Sequence, residues 1–226
     1  MITSAANPKL KLVRKLLAQK RKRDELGLFP VEGEDLVAAA LAAGLEPVEL
    51  LTAGETVAPE LMAELSTLPH PARVIGVFRS ADLPREPRET ALALWRVRDP
   101  GNVGTLLRTA DAFSAAVALS AGCADPLAPK ALRASAGAIF RVPLVPFDDA
   151  PGRRVALVAH GGTPLPELDL EGPTVFVLGA EREGLPKEIV ALSDDVATIP
   201  LSGPAESLNV AVAGAIAVYE RARRVN

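Results

Sequence analysis

Three stretches of this chain share one pattern, in which an apolar strand ends, a glycine or proline turn follows, and polar residues stand where the chain continues. They are residues 95–113, 175–186 and 199–220. The polar residues at these turns are Asn102, Glu181, Ser207 and Asn209. In open α/β sheets, ligands bind beyond the strand ends, where loop backbone and helix N-termini offer free N–H groups. The pattern therefore predicts one binding site formed by three strand ends.

The segment after the third turn, residues 210–219, is typical of a helix with alanine, valine and glycine on every face. A helix that meets solvent on one side carries polar residues there, whereas small side chains let neighbouring elements approach the backbone closely. We therefore expect this helix to be packed on all sides.

Strands alternate with helices along the chain, which indicates an α/β fold. With 226 residues, the chain is long enough for one large or two small domains. Residues 81–90 combine two prolines with several charges and are interpreted as a linker. The sequence thus predicts a small α/β sandwich over residues 1–85 and a mostly parallel sheet with intervening helices over residues 91–226.

Composition excludes several classes of protein. No run of about 18 apolar residues is present to span a membrane, and the basic N-terminus lacks the apolar segment of a secretory signal. One cysteine, Cys123, and two histidines allow neither an internal disulfide nor a zinc cluster. We therefore expect a cytoplasmic protein without a metal.

Common catalytic motifs are also missing. Neither the phosphate-binding G-x-x-x-x-G-K-S/T loop nor a dinucleotide-binding G-x-G-x-x-G turn occurs. Ser207 lacks the histidine and acid of a hydrolase, and Cys123 has no evident activating partner. If the protein is an enzyme, its substrate supplies the nucleophile.

The first 23 residues contain eight lysines and arginines and no acid, which leaves −11 for the rest of a chain whose net charge is −3. Asn7-Pro8 predicts a helix start, and an apolar stripe behind it would turn the basic residues outward. This asymmetry is typical of polyanion binding, although a solvated helix face has the same composition. The RNA contacts that we expect are Lys9, Lys11, Arg14, Lys20, Arg21, Lys22 and Arg23.

Together, the three turns resemble the motifs of the SpoU/TrmH family of RNA ribose 2′-O-methyltransferases, within the SPOUT superfamily. Residues 102–113 match N-x-G-x-x-x-R-T-A-x-x-F, residues 179–185 match G-x-E-x-x-G-L, and residues 199–211 match I-P followed by S-L-N-V-A. Ser114 and Ala180 stand where the family commonly has glycine and asparagine. The order and spacing of all three motifs agree with the family.

The resemblance implies a C-terminal domain with a trefoil knot, preceded by a domain similar to the ribosomal-protein-like substrate-binding module of these enzymes. It implies that S-adenosylmethionine binds in the knot, held largely by backbone groups. It also implies a homodimer whose active site draws on both chains. The cofactor contacts implied are Ala159, His160, Gly179, Ala180, Ile199, Pro200, Leu201, Ser207 and Leu208.

The catalytic set that the resemblance implies is Arg108, Asn102, Glu181, Ser207 and Asn209. The family proposal makes Arg108 the general base, but a guanidinium stays protonated in proteins. We expect Arg108 to anchor phosphate and stabilise the developing alkoxide, while a phosphate or the Glu181 carboxylate takes the proton. Outside this pattern, Asn102 and Ser207 would be interpreted as helix caps and Arg108 as a surface ion pair.

The two-domain organisation favours ribosomal RNA over transfer RNA as the substrate. Two alternatives stay open at this point. One is a transfer-RNA 2′-O-methyltransferase, and the other is a catalytically silent RNA-binding assembly factor of the same fold.

Overall fold

The computed structural model describes residues 1–225 as two β-sheets flanked by helices. The α-helices are α1 (Pro8–Ala18), α2 (Lys20–Leu26), α3 (Glu34–Ala42), α4 (Pro59–Leu65), α5 (Pro100–Ala112), α6 (Pro129–Ser135), α7 (Lys187–Ala191) and α8 (Val210–Val225). The strands are β1 (Leu28–Glu32), β2 (Glu49–Thr52), β3 (Val74–Arg79), β4 (Thr90–Leu94), β5 (Ala116–Leu119), β6 (Leu144–Pro146), β7 (Arg153–Leu157), β8 (Thr163–Pro164), β9 (Thr174–Leu178) and β10 (Asp195–Thr198).

The N-terminal sheet is antiparallel, with strand order β1-β3-β2. The predicted helix start is confirmed, because Asn7 Oδ1 accepts the Lys9 N–H at 2.9 Å and Pro8 occupies the first helical turn. Leu10, Val13 and Leu16 of α1 are buried in the small core that this sheet forms. The basic segment then continues into a second helix, α2, which the sequence analysis did not predict.

The C-terminal sheet has seven parallel strands in the order β6-β5-β4-β9-β7-β10-β8, which confirms the predicted mostly parallel α/β fold. Its central strands β4 and β9 are buried at every position, as expected where helices cover both faces. Because neighbouring strands are parallel, the carboxyl ends of β4, β9, β7 and β10 meet at one edge. The three polar turns leave the sheet at that edge.

The apolar runs at residues 91–97 and 197–201 predict two strands, and both end earlier in the structure. The chain leaves β4 after Leu94 rather than Val97, since Arg96 adopts a left-handed backbone with φ of 52°. Strand β10 ends at Thr198 rather than Leu201, because Pro200 has no N–H to offer a neighbouring strand.

One hydrophobic cluster joins the two sheets. The Phe29 ring of β1 lies 6.1 Å from that of Phe78 in β3, and 6.4 Å from that of Phe140, which follows α6. All three side chains belong to the same buried cluster as the helices of the parallel sheet. Burying such aromatic surfaces contributes several kcal/mol in total, on the order of 2 for each ring. The small sheet is therefore packed firmly on the larger one.

Arg23 was predicted to contact RNA, and its burial contradicts that prediction. Its side chain is only 5% exposed, and its Nη2 and Nε atoms donate to Asp125 Oδ2 at 2.6 and 2.9 Å. A further bond from Nη1 reaches the Leu16 carbonyl oxygen at the end of α1. Because α2 turns this residue inward, Arg23 links the N-terminal helices to the loop before α6 instead of facing solvent.

Helix α8 is packed closely on one side only. A Cβ atom at Gly214 would lie 2.5 Å from Leu106 Cδ2 and 3.0 Å from Leu178 Cδ1, so α5 and β9 touch the helix backbone. On the opposite side, Val212 is 47% exposed and Tyr219 is 57% exposed. Within one chain, the expectation of packing on all sides therefore holds for one side of α8 and fails for the other.

None of the helices within residues 1–225 is both long enough and apolar enough to cross a bilayer.

Replacing Arg23 by alanine should destabilise the fold by about 3 kcal/mol or more, because it leaves the nearly buried Asp125 carboxylate without its partner. Urea unfolding measures this change. The matched control is Lys22→Ala, which removes a neighbouring cation that pairs with Glu25 at the surface and should cost less than about 1 kcal/mol. Equal losses in the two variants would contradict the structural role of Arg23.

Candidate functional site

A cavity of about 380 Å³ opens at the carboxyl ends of β7, β9 and β10. This volume lies in the range of small-molecule sites. The walls combine apolar side chains with exposed backbone from four chain segments. The lining residues are Leu157, Val158, Ala159, His160, Leu178, Gly179, Ala180, Glu181, Arg182, Glu183, Gly184, Ile199, Leu201, Glu206, Ser207, Leu208, Val210 and Ala213.

All but one of the residues expected to contact the cofactor line this cavity. The exception is Pro200, which is exposed and absent from the walls. Side chains of an extended chain alternate in direction, so Ile199 and Leu201 face the cavity while Pro200 between them faces away. A contact of Pro200 with the cofactor would therefore be made by its backbone, and it stays a prediction.

Gly179 allows the turn over residues 180–184, which lines the cavity, to form. It directly follows β9, and a Cβ atom there would lie 2.2 Å from the carbonyl carbon of Gly184 and 2.4 Å from the Leu185 nitrogen. The turn over residues 180–184 can fold back over the strand end only because no side chain stands at Gly179. Ala180 and Gly184 close that turn through a backbone bridge.

The first helix of the site begins earlier than the sequence suggests. Asp99 is the N-cap of α5, and its Oδ1 atom accepts the backbone N–H groups of Gly101 and Asn102 at 2.6 and 3.0 Å. The side chain of Lys130 and the N–H of Asn102 hold the pKa of Asp99 below its ordinary value. Asp99-Pro100 is the same signal that located α1 at Asn7-Pro8, so it was present in the sequence but was not used.

Glu181 ties its turn to the start of α5. Its Oε1 atom accepts the Asp99 N–H and Asn102 Nδ2, each at 3.1 Å, while Oε2 accepts the Arg98 N–H at 3.3 Å. Burial raises the pKa of this carboxyl, but the hydrogen bonds outweigh burial, and the pKa falls below its ordinary value. Glu181 is therefore a weak base whose oxygens are already engaged.

Asn209 joins the third turn to the same network. Its Nδ2 atom donates to Asn102 Oδ1 at 3.1 Å, and its Oδ1 accepts the Ala211 and Val212 N–H groups at the start of α8. Asn209, rather than Ser207, is thus the side-chain cap of that helix. Asn102 stands between Asn209 and Glu181, so three side chains from three different turns form one hydrogen-bonded series.

Two members of the expected catalytic set lie outside this series. Ser207 lines the cavity but is exposed, and no hydrogen bond of its hydroxyl is found within residues 1–225. Arg108 is exposed on α5 and does not line the cavity; the described residues offer it no ion pair. A single chain therefore assembles Asn102, Glu181 and Asn209 but leaves Arg108 facing solvent.

The expected RNA contacts of α1 and α2 fall into two groups. Lys9, Lys20 and Lys22 are engaged in ion pairs of 2.6–2.8 Å, with Glu49, Asp24 and Glu25 respectively. The described part of the chain offers no such partner to the exposed side chains of Lys11, Arg14 and Arg21. The acids that follow residue 23 thus neutralise part of the basic segment.

Among residues 1–225, no three histidine, cysteine, aspartate or glutamate side chains converge as a metal site would require.

Two known protein families match this chain, one in each half. Residues 89–219 match the SpoU rRNA Methylase family, and residues 7–81 match the MRM3-like substrate binding domain. The chain belongs to the SpoU rRNA methylase family. Membership confirms the family resemblance of the three motifs, and the family fold implies the trefoil knot in the parallel sheet.

Several known proteins are similar to this chain over nearly its full length. The 23S rRNA (guanosine(2553)-2′-O)-methyltransferase RlmP of Bacillus subtilis is 34% identical, over 96% of this chain and 97% of its own. An AdoMet-bound rRNA methyltransferase structure from Sinorhizobium meliloti is 32% identical with a TM-score of 0.87, covering 100% of this chain and 98% of that one. The methyltransferase AviRb of Streptomyces viridochromogenes, in complex with AdoMet, is 28% identical with a TM-score of 0.85, over 97% and 98% of the two chains.

The stability that the Asn209–Asn102–Glu181 series gives to the fold should depend on pH through Glu181. Because its pKa is lowered on folding, the carboxylate stabilises the folded chain above its ordinary pKa of 4.5, and that stabilisation is lost as the pH falls through the folded value. Glu181→Gln should therefore lower the free energy of unfolding at pH 7, by about 1 kcal/mol or less since the group is exposed. In acid, at a pH below the folded pKa, the variant and the wild type should converge.

Urea unfolding at the two pH values measures this difference. Glu183→Gln is the matched control, because that carboxylate stands two residues along the same turn and is 69% exposed. A gap between Glu181→Gln and the wild type that persists unchanged at low pH would rule out the ionised hydrogen-bonded role.

Proposed function

We propose that this protein transfers a methyl group from S-adenosylmethionine to a ribose 2′-hydroxyl of ribosomal RNA. The observation that carries the proposal is the joining of the three SpoU motifs around one cavity by the Asn209–Asn102–Glu181 series. Full-length similarity to enzymes named as rRNA 2′-O-methyltransferases supports the reaction and the substrate class.

The cavity fits S-adenosylmethionine in size and in chemistry. Leu178, Ile199 and Leu208 give it apolar walls suited to an adenine ring, and the Gly179 turn exposes backbone groups for hydrogen bonds. Carboxylates at its border, from Glu181 and Glu206, suit a ligand with ammonium and sulfonium charges. When bound, S-adenosylmethionine supplies an electrophilic methyl group that the ribose 2′-oxygen accepts as the carbon–sulfur bond breaks.

The protein does not need to supply the nucleophile, so its task is to position the ribose and manage one proton. Arg108 stays protonated and suits the charge of an RNA phosphate and of the 2′-oxygen as it loses its proton. Glu181 has a lowered pKa and oxygens already engaged by Arg98, Asp99 and Asn102. Of the two proton acceptors considered, Glu181 is therefore engaged in holding its turn, and the RNA phosphate, although intrinsically the weaker base, is the one whose oxygens this chain leaves free.

The N-terminal half supports ribosomal RNA over transfer RNA. It matches a substrate-binding domain, and the relatives named as rRNA enzymes share it over nearly their full length. On its surface, the exposed cations of Lys11, Arg14 and Arg21 are suited to a phosphate backbone. The cytoplasm is the location that this substrate implies.

A homodimer would complete the site. Val212 and Tyr219 stand seven residues apart on α8, so both project from its exposed face, and the Phe113 ring packs edge-on at 6.3 Å from that of Tyr219. An apolar face of this kind on a helix beside the cavity is suited to a second copy of the chain. Arg108, which faces solvent in one chain, would then be available to the combined site.

Arg108→Ala should lower methyl transfer to ribosomal RNA by at least about a hundredfold, because it removes the charge that stabilises the reacting oxygen. Binding of S-adenosylmethionine should be unchanged, since Arg108 does not line the cavity. Transfer of labelled methyl groups to total ribosomal and transfer RNA measures the first, and calorimetry measures the second.

Arg73→Ala is the matched control, because that arginine is 81% exposed and stands far along the chain from the three motifs. Label appearing chiefly in transfer RNA would overturn the substrate class. Failure of the protein to bind S-adenosylmethionine would contradict the proposed enzymatic function and favour the catalytically silent RNA-binding alternative.

Tyr219→Glu should convert a dimer to a monomer, because a charge on the apolar face of α8 opposes its burial. Light scattering after gel filtration measures the mass. Leu192→Glu, at an exposed leucine beyond α7 that is 75% accessible, is the matched control and should leave the mass unchanged. A wild-type chain that is monomeric at assay concentrations would refute the dimer.

A further inference from the structure

A second cavity, of about 400 Å³, lies on the other side of the 180–184 turn. It shares Ala180, Glu183 and Gly184 with the first cavity, so the two are separated by that turn alone. Its remaining walls lie outside the three SpoU motifs, and the proposed chemistry does not use it. Its walls are Trp95 and Arg96 on one side and Pro186 and Ile189 on the other, and Glu183 and Glu188 complete them.

Trp95 is the single tryptophan of the chain, and it is half-buried in this wall. Its ring packs edge-on against Phe147, with centroids 5.3 Å apart, and the Arg96 guanidinium lies 5.3 Å from its centroid. The indole is thus fixed from one side and covered by a planar cation on another. Such a pair has a flat surface to which a further π-system can add.

Arg96 is held in a costly conformation. Its φ of 52° lies in the left-handed region, which is unfavourable for a residue with a long side chain. The neighbouring structure fixes it there, because its N–H donates to Ser120 Oγ at 2.9 Å. The exposed guanidinium has no ion pair within the described residues. Strain of this kind collects at functional sites, where it directs a side chain.

The chemistry of the walls selects the occupant. Two carboxylates, those of Glu183 and Glu188, disfavour a phosphate but can accept N–H groups from the edge of a nucleobase. Proteins that read unpaired RNA stack its bases on aromatic rings and arginine planes. A base therefore matches the stacking surface and the rim together, whereas a phosphate or an aliphatic chain matches only one of them.

We propose that Trp95 and Arg96 form a stacking platform for an unpaired base of the RNA substrate, next to the nucleotide whose ribose is methylated. The platform favours bases with an exocyclic amino group, which can donate to Glu183 or Glu188. This inference rests on the proposed function for the identity of the RNA, but the contact itself is independent of methyl transfer.

The fluorescence of the single tryptophan tests the contact directly. Short single-stranded oligonucleotides of adenine or cytosine should quench it, uracil oligonucleotides should quench it less, and polyphosphate should leave it unchanged. The measurement needs no methyl transfer, so it can succeed or fail separately from the proposed reaction. Quenching by S-adenosylhomocysteine but not by any oligonucleotide would overturn the platform and assign this cavity to the cofactor.

Two substitutions then test its contribution to the substrate complex. Arg96→Gly removes the guanidinium while suiting the left-handed backbone, so the variant should fold at least as stably as the wild type. The KM for ribosomal RNA should rise about tenfold, as expected for one lost stacked base, with kcat at saturating RNA and the affinity for S-adenosylmethionine unchanged.

Arg96→Lys separates stacking from charge, because lysine keeps the cation but lacks the plane. The raised KM should persist in this variant. Full rescue by lysine would overturn stacking in favour of a phosphate contact, and an unchanged KM in Arg96→Gly would overturn the platform altogether.

Discussion

The hydrogen-bonded series from Asn209 through Asn102 to Glu181 is the interaction on which the site depends. Each member comes from a different turn, and the turns are separated by as many as 107 residues along the chain. Glu181 also accepts backbone N–H groups just before α5, and Asn209 accepts those that begin α8. The same bonds that satisfy two helix starts therefore hold the three turns around one cavity.

In the proposed reaction, Glu181 holds its turn in position, whereas Arg108 assists the chemistry. A carboxylate with a lowered pKa and occupied lone pairs makes a good anchor and a poor base. Arg108, by contrast, is exposed and unengaged within the described chain, and its charge is permanent. The proposed reaction uses both properties, since a rigid turn holds the cofactor while a cation at the edge receives phosphate and alkoxide. In this proposal, a second chain and the RNA complete the site.

Two kinds of surface surround this centre. The N-terminal helices carry cations, of which some are neutralised by nearby acids and Arg23 is buried against Asp125. The second cavity offers a ring and a guanidinium plane close to the first one. Phosphate contacts fix register without sequence information, whereas base contacts select sequence. The proposed division places general affinity on the N-terminal helices and base selection at Trp95 and Arg96.

The α/β class, the parallel sheet, the start of α1 at Asn7-Pro8 and all three motifs could be predicted from the sequence, because they follow from local periodicity, capping and turn chemistry. Nine of the eighteen residues in the cavity wall were also among the predicted site residues, since the motif loops follow buried strands.

Tertiary structure alone decided the rest. Whether a basic side chain faces solvent, where RNA could bind, or pairs with a buried acid depends on contacts between residues far apart in the sequence. Arg23 and Asp125, for example, are 102 residues apart. The left-handed backbone of Arg96 likewise depends on its bond to Ser120, which follows a neighbouring strand. Composition and spacing describe which groups a chain carries, but burial and partners are properties of its packing.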